Sequence, residues 1–227
     1  MKKFLSVVTI MLGFSATYNT WADDSSTCGY SFTHKPFISP MIIADLETWE
    51  SDSGEQIVSI NLPESMGTNR YSGDYKASRL TIFDPAPTVT YEDDSCTEDN
   101  GGCMAPPYNS YMLLGKTADN IYALYTSDGG GGTGEFENLL LVTFEKSRGF
   151  KYDATHQTLT NDRPRCLITR LSEIPLGDRS VGDIAMKGNI ITIHMAKDFG
   201  NWVFSTPKNE VTEHIRVPAL DNLHGGK

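Results

Sequence analysis

Five carboxylates crowd one short stretch of this chain: Glu92, Asp93, Asp94, Glu98 and Asp99. Calcium takes several hard oxygens on a tight bend, and Asn100-Gly101-Gly102 offers such a bend. The spacing lacks the Asp-x-Asp-x-Asp-Gly rhythm of a calcium loop, so a solvated acidic loop is the simpler reading. The same charges, Asp93, Asp94, Glu98 and Asp99, can instead steer a basic partner onto the surface. A second polar group is Asp178-Arg179, with Asp183 close by. It reads as a carboxylate–guanidinium clamp on the Leu176–Gly182 turn or, alternatively, as a polar binding site at strand ends.

Other motifs carry less. Gly129-x-Gly131-x-x-Gly134 matches the dinucleotide fingerprint in form and follows a strand-like run. That chemistry needs a helix opening at the last glycine, whose N-terminus holds the pyrophosphate. Here Glu135 and Glu137 would face the phosphate and Leu139–Phe144 reads as strand, so a glycine-rich hairpin is expected. Ser205-Thr-Pro-Lys208 has the Ser-x-x-Lys form of penicillin-recognising enzymes, without their Ser-Asp-Asn and Lys-Thr-Gly companions. There is no Gly-x-Ser-x-Gly elbow and no zinc spacing of Cys or His. His34, His156, His194, His214 and His224 are scattered, and any of them could act as a base only by spatial assembly. Tyr71, Tyr75, Tyr108, Tyr111, Tyr122 and Tyr125 fit core or sheet-face positions better than an aromatic binding surface. No cofactor or resident metal is expected.

The elements that must position these groups are mainly strands. Met41–Leu46, Gln56–Leu62 and Arg79–Phe83 are short apolar runs between turn residues. Val58, Ile60 and Leu62 keep period two, which fits a half-buried strand. Residues 84–107, between proline-rich ends, read as a loop insertion. Ser110–Leu114 and Ile121–Tyr125 follow, with Gly115–Asn120 as a hairpin loop. The Leu139–Phe144 run reads as a strand buried on both sides, and a polar loop is expected between it and Cys166. Lys187-Gly188-Asn189 is a hairpin signal between Asp183–Met186 and Ile190–Ile193. Trp202–Phe204 and Val211–Val217 complete the set. No amphipathic helix of three turns is expected. Asp221–Lys227 should fray.

Met1–Ala22 has the three parts of a secretory signal: Lys2-Lys3, an apolar Phe4–Ala16, and Thr20-Trp21-Ala22 with small residues at the cleavage positions. The apolar run falls short of the roughly 20 residues a spanning helix needs. A single exported β-rich domain, residues 23–227, is therefore expected, periplasmic rather than secreted. The leader holds two lysines and no acid, leaving 17 cations against 29 acids, a balance of −12. Such a surface argues against nucleic acid and anionic membranes as main partners and permits a cationic protein partner. No later window is long and apolar enough to span, so no membrane insertion is expected after the leader is removed. Four cysteines behind an export signal imply two disulfides. Of three connectivities, Cys96–Cys103 with Cys28–Cys166 is preferred, because Cys96 and Cys103 can close a short Gly-rich loop.

Gly131-Gly-x-Gly-x-Phe136, Leu176-Gly-Asp-Arg179 and Gly188-Asn-Ile-Ile191 together resemble a segment of exported bacterial proteins and lipoproteins of ill-defined function. The resemblance covers about a third of residues 23–227, implies a β-rich module, and brings no catalytic residue. The fold expected is a mostly-β antiparallel sandwich or irregular barrel with two disulfides. The function expected is an envelope binding protein of inhibitor or immunity type, its acidic surface meeting a cationic partner. An envelope hydrolase with a site near the glycine tract, including a His in its cleft, is the first alternative. A calcium-binding structural envelope protein is the second.

Overall fold

Leu139, Leu140, Leu141 and Val142 bury every side chain, and a strand can do that only when both faces of its sheet are covered. The computed structural model describes residues 27–47, 54–67, 79–82, 87–93, 105–196 and 210–220. In chain order the elements are helix α1 (Pro40–Glu47), β1 (Ser59–Asn61), the one-turn α2 (Leu62–Ser65), β2 (Arg79–Ile82), β3 (Pro87–Glu92), β4 (Tyr108–Lys116), β5 (Tyr122–Gly129), β6 (Phe136–Asp153), β7 (Thr158–Asp178), β8 (Val181–Lys187), β9 (Ile190–Ala196) and β10 (Glu210–Arg216). Seven strands form one antiparallel sheet in the order β1-β7-β6-β5-β4-β3-β2, and three more form β10-β9-β8.

The chain is mostly β, and its sheets are antiparallel. The large sheet ends at β1 and β2, so it does not close into the barrel offered as an alternative. One face carries Tyr111, Leu113, Tyr122, Leu124, Leu140, Val142 and Ile168, covered by Phe32, Phe37, Ile38 and the α1 residues Ile42, Ile43 and Leu46. The other face carries Met112, Ala123, Leu139 and Leu141, covered by Ile184, Ile191 and Ile193 of the small sheet. Neighbours along each strand thus go to opposite cores, which is the period of two. Gly115 lets the layers close: a Cβ there would lie 2.9 Å from Met186 Sδ.

The N-terminal cover is fastened at three points. Phe32 meets Tyr111, Tyr122 and Phe144 with ring centroids 5.4 to 5.7 Å apart. The buried Tyr111 hydroxyl donates to the Ile38 carbonyl at 2.8 Å. Cys28 is bonded to Cys166 across a sequence separation of 138. This is the disulfide preferred from the sequence; Cys96 and Cys103 lie outside the described residues.

Several expectations need correction. Met41–Leu46 is helix, because Ile42, Ile43 and Leu46 recur at helical spacing and pack on the sheet. Val58 is 49% exposed, and Leu62 opens α2, so the strand there shrinks to Ser59–Asn61. The first part of the expected loop insertion, Pro87–Glu92, is a sheet strand that pairs with both β2 and β4. The polar stretch between Phe144 and Cys166 is no loop: β6 and β7 stay paired to Asp153 and Thr158, and only Ala154–Gln157 turns. Polar side chains do not oppose strand when both faces of the ribbon meet water, and every residue from Glu145 to Arg165 except Gly149 is exposed or half-buried. The Lys187–Asn189 hairpin and the final strand form as expected. Among the described residues no helix is long and apolar enough to cross a membrane.

Closing a loop of this length by a disulfide is worth about 4–5 kcal/mol on chain-entropy grounds. The double substitution C28S/C166S is expected to lower unfolding free energy by about 2–5 kcal/mol in a urea titration with circular dichroism detection. A loss below about 0.5 kcal/mol would show that the N-terminal cover stays in place without the bond.

Candidate functional site

Past the apolar layers, β5 and β6 run into the glycine tract and their side chains turn polar. Gly129 faces Tyr108 across the β4–β5 ladder, and a Cβ on it would sit 2.6 Å from the tyrosine ring. The missing side chain lets Tyr108 lie flat on the strand and reach Ser127, with the two hydroxyls 3.0 Å apart. Ser127 Oγ donates to Glu135 Oε1 at 2.9 Å, so the tyrosine must donate to the serine. Burial, reinforced by the Glu135 charge, lifts the Tyr108 phenol well above its ordinary range and keeps it a donor. Tyr108, Gly129, Gly131–Gly134, Glu135 and Arg179 line a cleft of about 330 Å³, with Ser127 behind its wall.

Beside it, Tyr125 donates to Glu137 Oε1 at 2.5 Å. Glu137 Oε2 accepts the backbone N–H groups of Ser180 at 2.7 Å and Val181 at 3.0 Å. Burial raises the Glu137 pKa, and these three donors hold it down in part. Asp178 Oδ1 accepts the Glu135 N–H at 3.1 Å and Arg179 Nε at 2.9 Å. Arg179 N–H returns a bond to the Glu135 carbonyl at 3.1 Å. Asp178 and Arg179 therefore fasten the end of the glycine tract to the β7–β8 corner, and Arg179 takes φ of +48° to do so.

The opposite face of the same strands holds a second acidic group. Thr126 donates its hydroxyl to Glu47, which ends α1 with only 6% of its surface exposed. Arg170 binds the Glu47 carbonyl, Glu173 Oε2 at 3.0 Å and Gln56 Oε1 at 2.8 Å. Burial first, then repulsion from Glu173 and Asp128, raises the Glu47 carboxyl from 4.5 to about 7. Asp128 and Glu173 are also raised, each mainly by burial.

Of the residues singled out from sequence, Asp178 and Arg179 join this end, while the nearby Asp183 is exposed on β8. Asp93 follows β3 and its N–H donates to the Pro107 carbonyl. Asp94, Glu98 and Asp99 lie outside the described residues, as do Ser205, Lys208, Tyr71, Tyr75 and His224. No described histidine lines the glycine cleft. His194 and His214 bond Thr212 and Thr192 on the small sheet, His156 bonds Asp153 in a turn, and His34 bonds Ser31. The dinucleotide form at Gly129–Gly134 is a hairpin turn into strand β6 rather than a helix. Among the described residues no three His, Cys, Asp or Glu side chains converge as metal ligands. Glu47, Thr126, Tyr108, Ser127 and Glu135 were missed as a group; their trace in the sequence is polar residues at alternating positions beside the glycines. No protein-family model matches the chain, and no curated protein or solved structure matches it.

Glu47 makes stability depend on pH with a definite sign. Unfolded, its carboxyl titrates near 4.5; folded, it keeps its proton to about pH 7. The native state therefore holds the extra proton between these values, and stability falls as pH rises through them. Above that window the full cost is about 3 kcal/mol. Asp128, Glu137 and Glu173 act in the same direction. Glu47→Gln should flatten the decline of melting temperature between pH 5 and pH 8; an unchanged slope would remove Glu47 as its source.

Proposed function

We propose that the protein is an exported envelope binding protein, of inhibitor or immunity type, whose acidic end holds a cationic partner. The observation that carries this is the charge at the glycine end of the large sheet. Asp128, Glu135, Glu137 and Asp178 gather there against one guanidinium, Arg179, and the buried Glu47, with Glu173 and Arg170 beside it, adds charge from the opposite face. A cation brought to the exposed parts of this end relieves repulsion among the carboxylates, of which Glu47, Asp128, Glu137 and Glu173 are already pushed toward protonation by burial. Glu92 at the end of β3 pairs with Tyr108, which pairs with Gly129, so β3 ends on this side of the sheet, and Asp93, Asp94, Glu98 and Asp99 follow it in sequence. Export by the Met1–Ala22 leader to an oxidising periplasm suits the Cys28–Cys166 bond, and a Cys96–Cys103 partner bond belongs to the same reading, as does a sandwich description of the two packed sheets. The likeness of Gly131–Ile191 to exported proteins supports this placement.

The test is titration of a fluorescent Lys/Arg-rich peptide into the oxidised protein at low and high salt. Binding should weaken at least tenfold on adding salt. It should weaken comparably when Asp93, Asp94, Glu98 and Asp99 are neutralised together, or when Asp128→Asn and Glu135→Gln are combined. Binding indifferent to salt and to both variants would refute the proposal.

The hydrolase expected at the glycine tract lacks its histidine among the described residues lining the cleft, and one observation favours it in a form without one: Ser127 Oγ donates to Glu135, a carboxylate in the cleft wall, an arrangement able to activate a hydroxyl. On that reading S127A and E135Q abolish hydrolysis of an activated ester to the same extent. Turnover absent from the wild-type protein, or kept by either variant, would dismiss it.

A further inference from the structure

Beyond Phe144 the β6–β7 hairpin leaves the rest of the sheet. The β5 ladder ends at Val142, and β1 reaches only Leu167–Thr169 of β7, so residues 145–166 form a two-stranded ribbon with both edges uncovered by described strands. An isolated ribbon of two strands is marginal in water. This one also exposes Phe150 at 71%, Tyr152 at 61% and Leu159 at 68%, half of the large exposed hydrophobics among the described residues. Tyr152 and Leu159 are cross-strand partners, and Phe150 lies two residues from Tyr152 on the same side of β6. Phe150, Tyr152 and Pro164 line a groove of about 480 Å³ with Lys151, Asp162 and Arg163.

The ribbon is basic on an acidic protein. Lys146, Arg148, Lys151, Arg163 and Arg165 stand against Glu145, Asp153 and Asp162, a balance of +2 within a chain of −10, which leaves −12 for everything else. The complement of such a surface, apolar and acidic together, exists at the other end of the same strand. Phe136 is 56% exposed, and its partners in the ladders on either side are Asp128 of β5 and Asp178 of β7. The two ends of β6 are separated by about 55 Å of strand contour, so one chain cannot bring them together.

We propose that the β6–β7 arm docks on the acidic, Phe136-bearing end of a second copy of this chain. The docked arm sets Phe150, Tyr152 and Leu159 against Phe136, and Arg148 and Lys151 against Asp128 and its neighbours. Arm against arm would place like charges together, which disfavours that pairing. The contact joins unlike patches, so it yields either a reciprocal pair or a longer head-to-tail chain. The inference rests on the reading that the acidic end takes cationic partners, and it names one such partner.

Sedimentation velocity of the oxidised chain over a range of concentrations tests it. Concentration-dependent self-association is expected at low salt, weakened at least about tenfold at high salt. The variants F150S/Y152S/L159S and R148E/K151E should each weaken it by at least about tenfold. Both should keep the wild-type circular dichroism and melting temperature, since these side chains cover no core. Monomer at every concentration, association untouched by both arm variants, or arm-dependent binding to anionic phospholipid vesicles without self-association would overturn the proposal. Peptide capture measured on the arm variants reports on the acidic end alone. Retained capture without wild-type self-association sinks only the present inference, whereas lost capture sinks the reading beneath it.

Discussion

Two-sided burial of the central strands is the constraint from which the rest of the architecture follows. β5 and β6 send apolar side chains alternately to both faces, and neither face can be left to water. The C-terminal strands supply one cover as a compact antiparallel meander whose neighbours are adjacent in sequence. The other cover must come from far away along the chain, because the segment from Phe32 to Leu46 precedes every strand it packs on. Local chain connectivity does little to hold it there. Cys28–Cys166, the Phe32 ring contacts and the Tyr111 hydroxyl hold it instead, and β1 joins the edge of β7 beside the disulfide. The least local part of the fold is thus the part that carries its covalent tie.

The same alternation explains how so many acids come to lie at one end. Where the apolar covers stop, β5 and β6 continue, and Tyr125, Thr126, Ser127 and Asp128 still point to alternate faces. Carboxylates entering from elsewhere meet hydroxyls on each face: Glu47 meets Thr126, Glu135 meets Ser127, and Glu137 meets Tyr125. Hydrogen bonding makes their burial tolerable without removing the repulsion between them. Glu137 is the most fully served, by one hydroxyl and two backbone N–H groups, and it acts as a joint between β6 and the β7–β8 corner. Glu135 is shared between the cleft and that joint. The cleft therefore borders the joint between the two sheets.

What could be read from sequence depended on whether an interaction was local. The Lys187–Asn189 turn, the both-sides burial that holds for Leu139–Val142 of the Leu139–Phe144 run, and the β-rich class rest on patterns spanning a few residues, and these were legible. Met41–Leu46 was not, because six apolar-rich residues fit a strand and a short helix equally until the surface beneath them is known. Residues 145–165 were misjudged for the converse reason. A ribbon with water on both faces needs no apolar alternation, and the ladder from Lys146–Cys166 to Asp153–Thr158 is specified by the paired backbone. Of the site, Asp178 and Arg179 stood out because charge pairs are visible in sequence. Glu47 and Thr126 are 79 residues apart, and no local pattern connects them.

The arm follows from the same strand that builds the core. On one side of β6 the even-numbered residues run Phe136, Asn138, Leu140, Val142, Phe144, Lys146, Arg148, Phe150 and Tyr152. The middle of this row is covered by the N-terminal layer, and both ends are left with aromatic rings in water. Charge then distinguishes the ends. The Phe136 end has carboxylates across both ladders, and the Tyr152 end has Arg and Lys along the shaft. Uncovered ribbon edges ordinarily invite pairing with identical edges, and cationic side chains along them oppose it. That leaves the arm able to associate with a surface of opposite charge while resisting its own kind. Among the described surfaces, the carboxylate-flanked Phe136 end meets that requirement, which is the reason the proposed docking pairs it with the arm.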